Sequence, residues 1–183
     1  AGRRKVEAYG DKVTFFPGDF GEIERAAGPG ARLAGVAADL GWSRTQIEDA
    51  ERGFSFQNDG PLDSRYDRRQ EFTSGHIVNH YPERQLADLL FELGEERRSR
   101  RIARAIVRGR PVRSTRHLAE LVERAVPRAP RPRIHPATLT FQALRMATND
   151  ELGSLEGLLA AAPPLLRPGG WSSSVFTRSR TGG

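Results

Sequence analysis

Two kinds of apolar pattern divide this chain. In "ARLAGVAADLG" the apolar residues run from Leu33 to Ala38 without alternation and stop at Asp39. Such a run predicts a parallel strand covered on both faces. Upstream, "KVTFFPGDF" (Lys12–Phe20) is β-branched and aromatic and predicts a short strand ending in a turn. "GEIERAA" then predicts a brief helix, stopped by "GPG". From Gly41 to about Asp67 periodicity is lost, and a loop of that length in a compact domain is usually functional or disordered. After it the spacing turns helical. Leu86, Leu89, Leu90 and Leu93 share one face, ending at Gly94. Ile102, Ala103, Ile106 and Val107 face away from Arg97, Arg101, Arg104 and Arg108. Leu118, Leu121, Val122 and Ala125 follow Thr115, read as an N-cap. "PRAPRPR" is a stiff basic connector. Two more helical segments, "HPATLTFQALRMATNDEL" and "GSLEGLLAAAPPLL", lead to "RPGG", which turns the chain toward another strand. The pattern predicts an α/β fold, a doubly wound sheet interrupted by a helical, arginine-rich insertion.

Composition narrows the partners. The 183 residues suit one medium domain, or one domain carrying an insertion, and the net charge is +6 with a sequence pI near 10.6. Arginine carries most of that charge, and its planar fork favours phosphate, so nucleic acid is the first partner to consider. A genome rich in G and C would give the same bias. With no cysteine there is neither a disulfide framework nor a thiolate zinc site. No apolar run reaches membrane-spanning length and no signal peptide is visible, which predicts a cytoplasmic protein without a membrane partner. His76 and His80 have helical i, i+4 spacing but no third ligand, so no metal is expected. His135, before Pro136, reads as the residue that orders entry to its helix. Asp39 closes a strand where open α/β sheets bind ligands, and is the best positional clue to function.

Five ordered stretches, "DLGWSRTQIEDAERGFSF", "DGPLDSRYD", "GEERRSRRIARAIV", "HPATLTFQALRMATNDEL" and "LLRPGG", closely resemble the bacterial MraW/RsmH family. Members are S-adenosylmethionine-dependent methyltransferases acting on N4 of a cytidine in 16S, small-subunit ribosomal RNA. The resemblance implies a partial Rossmann-like class I methyltransferase sheet with a helical insertion domain. It divides the chain into a first methyltransferase part (1–57), a substrate-recognition insertion (58–133), a second methyltransferase part (134–170) and an aberrant tail (171–183). By family pattern Phe20, Asp39 and Gln46 are cofactor contacts for S-adenosyl-L-methionine. Residue chemistry agrees: an aromatic face stacks on adenine, while a carboxylate and an amide bind polar edges. The cytosine amine is a poor nucleophile that must be held in line with the methyl group, its base taken out of any stack. Asp39, Asp63 or Asp67 are the candidate acceptors for that amine, and no catalytic base is assigned. Arg97 and Arg101 are candidates for the RNA phosphates. The expected partner is small-subunit ribosomal RNA, free or in the assembled small subunit.

The chain also departs from the family. It enters after the family's glycine-rich cofactor turn, an absence that would severely weaken cofactor binding. Beyond "PGG" the family continues as "RLVVISFHSLEDR"; codons for LVVISFHSLEDR read one base later yield WSSSVFTRSRT, the residues from Trp171 to Thr181. That coincidence reads as a frameshift. Ser64 and Tyr66 replace usual methionines, Arg98 a usual aromatic and Leu139 a usual arginine. Trp42, Arg44 and Thr45 stand where small residues and proline are common. The rival to an active enzyme is therefore a truncated, inactive, basic RNA-binding remnant. A general helical interaction protein explains the charge but not five ordered motifs.

Overall fold

The computed structural model describes residues 7–41, 44–126 and 135–176. Contacts divide the chain into two units, which are taken in turn.

The smaller unit holds the described residues of Ala1–Asp39 and Leu152–Val175. Strand β1 (Leu33–Leu40) pairs in parallel with β2 (Leu166–Phe176). Helix α1 (Ile23–Ala27) lies just before β1 in sequence, and α8 (Glu151–Leu165) runs directly into β2. The apolar run predicted a central strand, and it is a strand. In a two-stranded sheet, however, only Val36 of β1 is buried among its described side chains. Gly35 has a local reason: a side chain there would overlap the indole of Trp171. α8 buries Leu158 and Ala162, and two prolines, Pro163 and Pro164, coincide with its end.

Two expectations fail in this unit. Lys12–Phe20 is not a strand: a kinked 3-10 turn over Glu7–Lys12 gives way to irregular backbone up to Asp19. Pro17 removes a ladder donor, and Phe15 and Phe16 stay 42% and 37% exposed instead of covering a sheet face. Nor does "RPGG" precede its strand. β2 already starts at Leu166, passes Gly169 at φ 78°, and extends through Trp171–Phe176. Residues 177–183 lie outside the described residues.

Among the described residues the larger unit contains six α-helices, the last four of which are those that the 3.6-residue spacing predicts. They are α2 (Arg44–Glu48), α3 (Ser74–His80), α4 (Glu83–Glu92), α5 (Ser99–Arg108), α6 (Thr115–Ala125) and α7 (Thr138–Thr148). Helix α2 and a 3-10 turn over Ala50–Arg52 occupy part of the stretch that lacked periodicity. Helix α3 follows that stretch. Helix α5 packs on α4 and α6, while α7 packs on α3 and α4. Their inward faces form one core in which Ile77, Leu86, Leu90, Ile102, Ile106, Leu118 and Val122 are fully buried. Each such side chain contributes about 1.5–3 kcal/mol through removal of apolar area from water. The domain boundary drawn at 57/58 falls inside this unit, and that at 133/134 lies outside the described residues.

Capping is by a neighbour of the expected residue. Ser114, not Thr115, caps α6, accepting from the His117 N–H at 3.3 Å. Thr115 is the first helical residue and fully buried; its hydroxyl accepts from Gly60 N–H at 3.0 Å and donates to Asn58 O at 3.2 Å. Arg110 satisfies the end of α3, donating to the carbonyls of Val78 at 2.8 Å and Tyr81 at 2.6 Å.

Gly94, just past α4, is a tight point. A Cβ there would stand 2.6 Å from Leu139 O and 3.1 Å from Ala143 Cβ, both on α7. Gly94→Ala is expected to lower stability by about 1–3 kcal/mol, the range for overpacking. Urea unfolding of the whole chain should give a lower midpoint at unchanged m. An unchanged midpoint would mean that α4 and α7 separate freely at this position.

Candidate functional site

Phe20 sits on a built turn. Asp19 precedes it in extended backbone and accepts from Gly21 N–H at 2.7 Å, while Glu22 reaches back to Asp19 N–H at 3.3 Å. This reciprocal capping starts a 3-10 turn over Phe20–Glu22 that continues into α1 and leaves the Phe20 ring half-buried. The turn lies close against α8. A Cβ on Gly21 would fall 3.0 Å from Ser154 O, and one on Gly157 would fall 3.4 Å from Gly21 Cα. Asp39, at the C-terminal end of β1, is exposed. Gly41 follows at φ 138°, a conformation that favours glycine. Phe20 and Asp39 belong to the smaller unit; Gln46, half-buried on α2, belongs to the larger.

In the larger unit the other candidates fall on two elements. Asp63 and Asp67 lie in the segment between Arg52 and α3, which is folded on itself. Ser64 is buried at φ 60°, its hydroxyl donating to Gly53 O at 3.0 Å and hydrogen-bonded with the Ser74 hydroxyl at 3.1 Å. Its N–H donates to Arg52 O at 2.9 Å. Gly53 takes φ 64° and any side chain there would overlap the Pro61 carbonyl. Arg52 donates to the carbonyls of Arg65 at 2.8 Å and Tyr66 at 3.1 Å. Arg97 and Arg101 are exposed, Arg97 just ahead of α5 and Arg101 in its first turn. Among the described residues neither makes an ion pair.

Both aspartates are held by their own loop's arginines. Asp63 is buried and accepts from Arg65 N–H at 3.0 Å, Nε at 2.7 Å and Nη2 at 2.9 Å. Burial pushes its carboxyl pKa up, but the Arg65 hydrogen bonds and charge outweigh that and hold it below the usual range. Asp67 is more exposed, and the Arg69 fork and N–H draw its carboxyl down to about 2. A group that holds a proton so weakly is a poor general base near neutral pH, though still an acceptor.

The sequence reading missed the clamp that fixes this loop. Asn149 accepts from Tyr66 N–H at 2.6 Å and donates to Ser64 O at 2.7 Å. The Tyr66 hydroxyl donates to Glu151 at 2.9 Å, and Glu151 is gripped by Arg145 at 2.7 and 3.1 Å. Gln70 adds a bond to Thr148 O at 3.0 Å. The "RMATNDEL" end of "HPATLTFQALRMATNDEL" is thus the counterpart of "DSRYD". A signal was present: Arg145 and Asn149 stand four apart, polar, on a helix otherwise rich in buried residues. Ser64 and Tyr66, the two departures from methionine, both have their hydroxyls hydrogen-bonded. His135 does order helix entry, its Nδ1 accepting from Ala137 N–H at 3.1 Å while Nε2 meets Glu123 at 2.6 Å. Among the described residues no group of three or more His, Cys, Asp or Glu could hold a metal.

Comparison with known proteins decides the relationship. A model of the MraW methylase family matches residues 1–179. The chain belongs to the MraW methylase family. Its sequence is 53% identical over 170 residues to a ribosomal RNA small subunit methyltransferase H of Solibacter usitatus, covering 92% of this chain and 59% of that protein. It is 55% identical over 159 residues to the like-named protein of Acidobacterium capsulatum, covering 87% and 53%. With that of Synechococcus elongatus the identity is 49% over 172 residues, covering 93% and 57%. The chain therefore spans little more than half the length of these MraW methylase relatives. The α/β architecture, two parallel strands with a helical body, is that of a partial Rossmann-like methyltransferase of this family.

Tyr66 offers a test of the clamp. Burial, the nearby Glu151 charge and its hydrogen bond with Glu151 raise the Tyr66 pKa well above its usual value, against a smaller lowering by Arg145. Above about pH 10 an unfolded tyrosine ionises, while the folded Tyr66 does not. The unfolded state then binds fewer protons, so stability falls as pH rises from there toward the folded value. Tyr66→Phe should cost about 1 kcal/mol at neutral pH and remove that alkaline loss. Denaturant titrations on both sides of pH 10 would measure it; parallel pH slopes in the two proteins would dismiss the clamp.

Proposed function

We propose that this chain is part of an S-adenosyl-L-methionine-dependent methyltransferase that modifies the N4 amino group of a cytidine in 16S ribosomal RNA. The observation that carries this reading is its high identity to proteins named for methylation of small-subunit ribosomal RNA. The residue chemistry supports it. Phe20 offers a partly accessible ring, Asp39 an exposed carboxylate at a strand end, and Gln46 a side-chain amide. These types fit an adenosine-containing cofactor by stacking on its base and binding its polar edges.

S-adenosylmethionine, when bound, supplies an electrophilic methyl group on a sulfonium. The work left to the chain is orientation. The N4 lone pair is delocalised into the cytosine ring, so the base must be held in line and its amine given an acceptor as charge develops. Asp39 is the best placed of the three candidate carboxylates, because Asp63 and Asp67 are already engaged by Arg65 and Arg69. In this reading Asp63 and Asp67 shape the substrate side, and Arg97 and Arg101 meet RNA phosphate. Residues 58–133 form the substrate-recognition insertion between methyltransferase parts 1–57 and 134–170. The partner is small-subunit ribosomal RNA or the assembled small subunit, in the cytoplasm. Among the described residues no helix is long and apolar enough to cross a membrane.

The test uses the protein extended to the length of its relatives, with labelled S-adenosylmethionine and unmethylated small ribosomal subunits. Methyl incorporation at a cytidine N4 is expected. Asp39→Ala should reduce it by at least about 10²-fold, the scale of one transition-state contact. Wild-type turnover in that variant would remove Asp39 from the site, and no incorporation by the parent would refute the activity.

A further inference from the structure

The helices of the larger unit do not treat their exposed charges alike. Outward-facing residues on α4 include Arg84 and Asp88, an i, i+4 pair at 3.9 Å. Those on α6 include Glu120 and Arg124, paired at 3.2 Å. Helix α5 carries Arg100, Arg101, Arg104 and Arg108 and no carboxylate in its ten residues. At 100° per residue these arginines cluster opposite Ile102, Ala103 and Ile106, which are fully buried. All four are exposed.

Only one of them is neutralised. Arg104 reaches Glu83 at 3.3 Å, and among the described residues Arg100, Arg101 and Arg108 form no ion pair. The segments outside the described residues contain no aspartate or glutamate. Like charges at i, i+4 destabilise a helix by about 0.2–0.5 kcal/mol per pair, and Arg104 stands in that relation to both Arg100 and Arg108. Two of the four also stand in the first turn, where the helix dipole disfavours cations. The free chain thus bears a concentrated cost that a polyanion would relieve.

We propose that the exposed face of α5 is a docking surface for the phosphate backbone of RNA, with Arg100, Arg101 and Arg108 as the contact residues. The inference rests on ribosomal RNA being the partner, and it adds where and how the strand is held. The guanidinium fork suits two phosphate oxygens at once. From Arg101 to Arg108 the helix advances about 10 Å, which faces on the order of three phosphates of one strand. The contact is to backbone, so it positions the RNA without reading its bases. A membrane surface fits less well, because an interfacial helix presents an apolar face to lipid, whereas the apolar face of α5 is already in the core.

The experiment measures binding of the 183-residue chain to a fluorescein-labelled single-stranded RNA oligonucleotide by anisotropy, from 50 to 200 mM salt. The triple variant Arg100→Ala, Arg101→Ala, Arg108→Ala should bind at least about tenfold more weakly at the low-salt end. Its slope of log K against log salt should be shallower by about 2, from three lost phosphate contacts. The control removes three exposed arginines elsewhere in the same unit, Arg84→Ala, Arg116→Ala and Arg124→Ala, and should leave that slope nearly unchanged. Alanine favours helix at these exposed positions, and circular dichroism verifies the fold of both variants. Equal losses in the two variants would overturn the proposal in favour of general charge. Full binding by the α5 variant would overturn it while RNA remained the partner. No binding by the parent chain at 50 mM salt would count against RNA as partner as well as against the surface. Binding to phosphatidylserine vesicles in place of RNA would assign the face to lipid.

Discussion

The buried ion pair between Arg145 and Glu151 holds the centre of the larger unit's polar architecture. The side chains are 14% and 6% exposed, and their two hydrogen bonds form a fork on one carboxylate. Neither charge is tolerable there alone. Removing one partner of such a pair commonly costs about 3–5 kcal/mol, because the other is left buried and unmatched. The pair also does something a hydrophobic contact of equal volume would not. It leaves Glu151 with an oxygen to accept the Tyr66 hydroxyl, and Arg145 lies four residues before Asn149, whose amide fixes the Ser64 and Tyr66 backbone. A loop with little regular structure thereby acquires a defined shape around Asp63.

Arginine serves three distinct ends in this unit. Arg65 and Arg69 hold carboxylates two residues away and keep them ionised. Arg52 and Arg110 bind main-chain carbonyls that no helix or strand would satisfy. Those on α5 point outward. The first two uses exploit the planar donor fork more than the charge, and lysine would not replace them. The basic composition therefore overstates the charge available to a partner, since several guanidinium groups are committed internally.

How much of this the sequence revealed depended on the range of the interaction. Helices α4 to α7 were legible because a 3.6-residue apolar spacing is local, and β1 because an unbroken apolar run from Leu33 to Ala38 has few other outcomes. Residues 12–20 misled because aromatic and β-branched content mimics a strand, while the Pro17 break counts for more. The cap of α6 slipped by one residue, as Ser114 and Thr115 are chemically equivalent in sequence and differ only in which hydroxyl the fold buries. The family motifs singled out Phe20, Asp39, Gln46, Asp63 and Asp67 individually. They did not reveal that Tyr66 answers Glu151 across 85 positions, since a pairing at that separation leaves no local trace.

Gly21 and Gly157 carry a mechanical consequence. Backbone meets backbone where the Phe20 turn rests on α8, with no side chain between them to act as a cushion. Springs in proteins are mostly side chains changing rotamer, and here that compliance is missing. The aromatic ring therefore inherits the stiffness of a fifteen-residue helix, although its position in the sequence would assign it to a surface turn.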